Sequence, residues 1–288
     1  MARAGTVARR AEALLGSAVV ATAPVSGGSI CTATRLRLSD GASALIKTRA
    51  QAPADFFPSE ARGLRWLAST RGAGVPDVLA VEQDCLILTW VEAGRPGAEA
   101  AEAFGRALAV THQCSPAVFG TDSGADGFIG ILPMPNRAAE SWPQFFATRR
   151  ILPYLKLARD RSSISAEDAA AVESVVRRIV ELAGPDEPPS TLHGDLWAGN
   201  VVWARDGRVW LVDPAAHGGH RETDLAMLTL FGLPHLSRVL DAYQELTPLA
   251  EGWEDRVALH QLFPLLVHAC HFGGGYGARA GAAARSLL

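Results

Sequence analysis

Near residue 92 the hydrophobic pattern of this chain changes period, and that change constrains the fold more than any other feature. Residues 19–49 run VVATAPV, SGG, ICTATRLRL, SDG, ASALIKT. These are short β-branched and apolar runs split by turn residues, with alternation in CTATRLRL and a hairpin turn at SDG. A helix is predicted over about 59–70, with Leu64 and Leu67 on one face and Ser59 as N-cap. VPDVLAVEQDCLILTWV then reads as two more strands around a turn at Glu82–Asp84. Gly94, Pro96 and Gly97 break the pattern, and beyond them the period is helical.

Helices are expected at about 98–113, 141–158, 166–183, 222–231, 234–246 and 252–271. Ser165-Ala-Glu-Asp168 opens the third as a capping box with Asp in place of Glu. One hairpin, 201–213, interrupts this half and turns at Arg205–Arg208. Ahead of the first strand, Val7, Leu14 and Leu15 suit an amphipathic helix. The expected class is therefore α+β: a small antiparallel-sheet lobe over 1–92 and a larger, mostly helical lobe over 93–288. The Arg/Ala-rich end, 278–288, suits either a disordered tail or a cap on the last helix.

Composition narrows the classes of function. With 288 residues, 48% of them hydrophobic, the chain can bury a core without disulfides. A net charge of −3 gives no electrostatic case for nucleic acid or an anionic membrane as partner. Cys31, Cys85, Cys114 and Cys270 contain no CxxC pair, which argues against a zinc site and suits a reducing compartment. The arginines and apolar residues at the N-terminus weakly mimic a secretory signal, but Glu12 interrupts them. No run of about 18 apolar residues occurs. The expectation is a soluble, cytoplasmic protein; nothing in the sequence fixes its oligomeric state.

The chemistry concentrates in TLHGDLWAGN (191–200) and VWLVDP (209–214). If the hairpin folds back, Asn200 enters it and Asp213 leaves it, at one open end. An amide oxygen and a carboxylate there are hard donors of the kind Mg²⁺ accepts. Asp195, on the preceding loop, stays free to take a proton from an attacking hydroxyl. That is the division of labour of kinase-type phosphoryl transfer, and the Asp195-to-Asn200 spacing matches H-R-D-x-x-x-x-N. In the sheet lobe, Lys47 ends the run ALIK as the ATP-phosphate lysine ends V-A-I-K, and Glu60 lies where it could pair with it. Gly27 and Gly28, between two strand-like runs, could lie over the nucleotide phosphates.

TLHGDLWAGN resembles the HGDLWSGN signature of the fructosamine kinases, or ketosamine-3-kinases, a family within the group that includes aminoglycoside and choline phosphotransferases. The run DPAAHGGHRETDLAMLTLFG (213–232) carries the resemblance further, as do residues 127–151 and HFGGGY (271–276). It covers most of the chain, strongest from about 127 to 276. The resemblance implies a protein-kinase-like two-lobe fold, ATP and Mg²⁺ as cofactors, and phosphorylation of the 3-hydroxyl of a ketosamine, small or protein-bound, hence deglycation. Residue by residue, it implies Asp195 as catalytic base and Asn200 and Asp213 as metal ligands. It also implies Lys47 and Glu60 as the nucleotide-lobe ion pair, Gly27 and Gly28 as the phosphate loop, and Thr89, Trp90 and Val91 at the adenine hinge.

Trp197 could stack on the sugar or its amine, or simply pack the loop; His217, His271 and Tyr276 are further candidate substrate contacts. Asp224 and His193 are read as braces of the catalytic loop. Departures accompany the match: Gly194 replaces the arginine of H-R-D, and Asp213-Pro-Ala replaces D-F-G. Cys31 lies beyond the glycines, whereas the redox-active cysteine of some members aligns nearer Pro24. The rival readings are an aminoglycoside- or choline-type phosphotransferase and a catalytically dead nucleotide-binding module. Against the second, none of Lys47, Asp195, Asn200 and Asp213 is missing.

Overall fold

Alternation in the run SALIKT sends Ala44 and Ile46 to one face of a sheet and Leu45 and Lys47 to the other. The structure, a computed structural model, describes residues 2–26 and 30–288 and places that strand at the centre of the sheet. Its strands are β1 (Val19–Val25), β2 (Thr32–Leu38), β3 (Ser43–Thr48), β4 (Val78–Glu82) and β5 (Cys85–Thr89), in the antiparallel order β1-β2-β3-β5-β4. Helix α1 (Ala2–Leu15) covers the face that carries Ala44, Ile46, Leu36 and Ile87. Helix α2 (Phe56–Ser69) covers the other, where Leu86 and Leu88 join Phe57, Leu64 and Leu67. Lys47 is thereby carried on the α2 side and is 7% exposed.

Helix α2 starts at Phe56, ahead of the expected Ser59 cap. Asp55 turns the chain at φ 66°, and Ser59 donates its hydroxyl to the Phe56 carbonyl. Pro58 fits here because N–H groups in a first turn have no helical partner.

The larger lobe is built from α3 (Ala98–Gln113), α4 (Trp142–Phe145), α5 (Leu152–Asp160), α6 (Ala166–Arg177), α7 (Ile179–Leu182), α8 (Glu222–Leu230), α9 (Leu236–Leu246), α10 (Trp253–Phe272) and α11 (Tyr276–Arg285). Helix α10 is its axis, with Leu259, Leu262, Phe263 and Leu266 all buried. The helix expected over 141–158 is instead α4, a π-helical turn at Phe146–Ile151, and α5. Pro153 has no N–H for the Arg149 carbonyl, which accepts from Arg150 Nη1. The helix expected over 166–183 breaks at Arg178 into α6 and α7. Its cap is as expected on one side: Ser165 Oγ accepts from the Asp168 N–H at 3.0 Å. The Arg/Ala-rich end is α11, an ordinary helix on α6 and α10.

Three short antiparallel pairs complete the lobe. They are β6 (Gly127–Ile129) with β7 (Leu132–Met134), β8 (Ser190–Leu192) with β11 (His217–Gly219), and β9 (Val201–Trp203) with β10 (Val209–Leu211). No helix among the described residues is long and apolar enough to cross a membrane.

The larger lobe also buries neutral histidines. His217 and His220, 2% and 3% exposed, are pushed down to about 3, chiefly by burial. Arg150 near His217, and His260 and Arg221 near His220, push the same way; Asp224, Glu222 and Glu187 oppose them. An unfolded histidine titrates near 6.5, so between about 6.5 and 3 the unfolded chain binds more protons and stability is lost as pH is lowered. Each group contributes up to about 1.4 kcal/mol per pH unit in that window. Urea midpoints should drop steadily from pH 6.5 to 4.5, and more gently in His220→Asn. A midpoint flat across that range would contradict the burial account.

Candidate active site

Strands β8 and β11 pair His217 with Leu192, which brings the loop after β8 against the loop before β11. Bonds in both directions then lock the two. His193 Nε2 donates to the Val212 carbonyl at 2.9 Å, the Ala215 N–H donates to the His193 carbonyl at 2.9 Å, and the Val212 N–H donates to the Asn200 carbonyl at 3.0 Å. The crossing is too tight for a side chain at 194. Gly194 sits at φ +82°, and a Cβ there would fall 2.1 Å from the Ala215 carbonyl oxygen. That is why glycine replaces the arginine of H-R-D here.

Beneath the first loop Asp224, fully buried, accepts from the N–H groups of His193 at 2.7 Å and Gly194 at 2.9 Å. His112 on α3 adds a third donor at 3.3 Å through Nε2, with its Nδ1 taken by the Tyr243 hydroxyl at 2.9 Å. Burial would raise the Asp224 carboxyl, but His112, His193 and the Gly194 N–H outweigh it and hold it below its usual value. His112→Leu removes one donor from a buried carboxylate and should cost about 2 kcal/mol of stability, read from denaturant midpoints. No change in midpoint would mean the two backbone N–H groups suffice.

Above the loop, the Asn200 amide donates to the Asp195 carbonyl at 2.8 Å and to Asp195 Oδ2 at 3.1 Å. Asn200 Oδ1 and Asp213 Oδ2 then face no protein donor among the described residues. This amide and carboxylate oxygen pair fits a hard divalent cation. Asp213 holds a left-handed backbone at φ 55°, which few non-glycine residues adopt without strain. Across the cleft, Lys47 Nζ lies 2.6 Å from Glu60 Oε1 and 3.0 Å from Asp213 Oδ1, joining the lobes through one ammonium.

Burial would lower the Lys47 amine, yet Asp213 and Glu60 hold it well above the usual range. Burial raises Glu60, whereas Lys47 overrides burial at Asp213 and keeps that carboxyl ionised. Asp195 is pushed up to about 7, first by burial and then by the charges of Asp213 and Asp224, against the lowering effect of Asn200. A carboxylate poised near neutrality can accept a hydroxyl proton.

The remaining candidates separate. Thr89 and Trp90 give their N–H groups to the carbonyls of Asp77 and Ser43, and Val91 has no such backbone bond among the described residues. Gly27 and Gly28 lie outside the described residues. His217 is enclosed: Nδ1 donates to the Ala215 carbonyl at 2.9 Å and Nε2 accepts from Arg150 at 3.4 Å, so neither ring nitrogen is open to a substrate. His271 Nε2 donates to the Ile129 carbonyl at 3.1 Å.

Trp197 and Tyr276 meet the same third ring. Trp197 approaches Phe231 edge-on at 5.8 Å, and Phe231 also meets His268 at 4.9 Å and Tyr276 at 6.4 Å. The Arg279 guanidinium lies 5.8 Å from the Phe231 ring and 5.7 Å from that of Tyr276. Sequence reasoning missed Phe231 and Arg279 in this aromatic wall, and missed His112 and Tyr243 beneath the loop. The one signal for His112 was its place on the apolar stripe Phe104–Leu108–His112, where a polar residue needs a partner.

Known proteins resemble this chain along nearly its whole length. The family model described as fructosamine kinase matches residues 4–288. A probable ketoamine kinase from Thermus thermophilus is 37% identical over 254 residues, covering 88% of this chain and 88% of that protein. The crystal structure of a candidate fructosamine-3-kinase from Thermobifida fusca superposes with a TM-score of 0.93 at 46% identity, covering 98% of each chain. A choline kinase from Streptococcus pneumoniae shares the fold, with a TM-score of 0.67 at 17% identity, covering 100% of this chain and 99% of that one. The two-lobe architecture is thus that of the kinase-like phosphotransferases, and this chain, an ATP-dependent phosphotransferase, belongs to the fructosamine kinase family.

Proposed function

We propose that this chain transfers the γ-phosphoryl group of ATP to the 3-hydroxyl of a ketosamine, a sugar joined to an amine through C1 beside its C2 ketone. The observation that carries the reading is the convergence of Asp195, Asn200 and Asp213 on two loops bonded to each other, with Lys47 delivered onto Asp213 from the other lobe. Asp195 accepts the hydroxyl proton as the oxygen attacks phosphorus. Asn200 Oδ1 and the Asp213 carboxylate would hold Mg²⁺, which when bound neutralises charge on the transferring phosphoryl group. Lys47, oriented by Glu60, presents its ammonium to the nucleotide phosphates. Val91, with its backbone groups unspent, is the hinge residue fitted to adenine.

The wall of Trp197, Phe231 and Tyr276 gives the sugar and its amine substituent an apolar surface beside the base. His217, enclosed on both ring nitrogens, has no part in this reading. His271, its Nε2 spent on the Ile129 carbonyl, has no part in it either. Phosphate on O3 then determines the fate of the product. Enolisation toward C1 sets up loss of inorganic phosphate from C3, and water hydrolyses the resulting imine to free the amine. Repair of glycated amines is the consequence.

A coupled ADP-release assay across fructosyl-, ribulosyl- and erythrulosyl-amines, with aminoglycosides and choline alongside, tests the substrate class. Turnover confined to the ketosamines is expected. Turnover confined to choline or an aminoglycoside would replace this reading with the neighbouring one.

A further inference from the structure

By sequence the β6–β7 hairpin belongs to the helical lobe, yet its tip lies against the sheet lobe. It is anchored from behind. Ile129, Leu132 and Met134 are buried in the helical-lobe core, the Tyr154 hydroxyl donates to the Pro133 carbonyl at 2.9 Å, and His271 holds the Ile129 carbonyl. In front, Phe128 meets the ring of Phe56, at the start of α2, with centroids 5.2 Å apart and planes at 63°. Gly130 turns the tip at φ +57°. A Cβ there would fall 2.5 Å from His271 Nε2 and 3.1 Å from Ile30 Cδ1, so only glycine lets the tip seat between the two.

Ile30 and Phe56 are themselves joined. Arg49, two residues beyond Lys47, donates from Nη1 to the Ile30 carbonyl and places its guanidinium 5.7 Å from the Phe56 ring. Its buried Nε has no hydrogen-bond partner among the described residues. A clasp therefore runs from the helical-lobe core through Phe128 and Gly130 to Phe56, Arg49 and Ile30.

We propose that Phe128 and Gly130 are positioning residues, and that the β6–β7 hairpin is a further tie between the lobes that sets the height of the sheet lobe's α2 start over the catalytic loop. Lys47 and Glu60 ride on one lobe, and Asp195, Asn200 and Asp213 on the other. Past the end of α2 the lobes are also bonded, the Ala73 N–H donating to Thr111 Oγ1 at 2.8 Å and the Leu211 N–H to the Gly74 carbonyl at 2.8 Å, so the hairpin adds its contact at the opposite end of α2, at Phe56. The Lys47–Asp213 contact cannot fix the spacing by itself, because phosphate binding competes for the same ammonium. An apolar aromatic contact does not exchange with ligand, so it keeps the lobes in register through the cycle. The inference rests on the reading of the cleft as a nucleotide site.

Calorimetric titration of the full chain with MgADP tests it. Phe128→Ala should raise the MgADP dissociation constant about fivefold, with the thermal midpoint little changed. Phe128→Leu, which refills the contact with Phe56, should return the constant to within about twofold of the unaltered chain. Gly130→Ala, which forces a methyl group against His271 and Ile30, is the second variant and should weaken MgADP binding in the same direction. Unchanged MgADP affinity in Phe128→Ala and Gly130→Ala, whatever their thermal midpoints, would overturn the tie and leave the hairpin a packing element. Failure of the unaltered chain to turn over any ketosamine would sink the proposed substrate but leave this titration readable. Failure of the unaltered chain to bind MgADP would remove both.

Discussion

Asp195→Asn is expected to lose about a thousandfold in kcat while binding MgADP as the unaltered chain does. Asparagine matches aspartate in shape, and the Asp195 backbone carbonyl would still accept from the Asn200 amide. The two proposed metal ligands and the Lys47–Glu60 pair are untouched. What disappears is the group that takes the hydroxyl proton. The reading therefore demands a split, with chemistry lost and binding kept. Retention of more than a tenth of the activity would deny Asp195 its role, and a matching loss of nucleotide affinity would make it a binding residue.

Asp213→Asn should produce the complementary pattern. Asparagine tolerates the left-handed backbone at φ 55°, so the strain at this position is not a new variable. The substitution removes the charge that would hold Mg²⁺ and that now faces Lys47 Nζ at 3.0 Å. The preference for MgADP over free ADP should collapse about tenfold or more, and kcat should fall at least a hundredfold. An undiminished Mg²⁺ preference would mean that the ion is held by other residues.

The sheet lobe was legible because its strands are long enough to show alternation, as in TATRLRL and SALIKT. The same alternation predicts which face receives Lys47. The geometry around Asp195 was legible for a different reason: Asp195, Asn200 and Asp213 lie close in sequence, and the β9–β10 hairpin between the last two leaves little freedom.

Elements of three residues carry no period; β9 and β10 were legible only from the Arg205–Arg208 turn between them, and β6, β7, β8 and β11 were not foreseen, although β8 and β11 are what press the two loops together. Proline misled twice. Pro58 sits inside the first turn of α2, so the helix begins before Ser59, and Pro153 turns a single expected helix into two around a π turn. The aromatic wall was half visible. Trp197 announced itself on the loop, but Phe231, Tyr276 and Arg279 reach it from distant segments, and only packing brings them together. His217 shows the opposite error: a histidine four residues after Asp213 in sequence, it is turned inward with both ring nitrogens spent.

The proposed transfer is to the 3-hydroxyl of a ketosamine. The most direct test is phosphorus–proton correlation spectroscopy of the product formed from ATP, Mg²⁺ and a fructosyl-amine, followed over time. Expected is a phosphate ester correlated with the proton on C3, decaying to inorganic phosphate as free amine appears in equal amount. A stable ester on another carbon, or ATP consumption with no sugar phosphate, would contradict it.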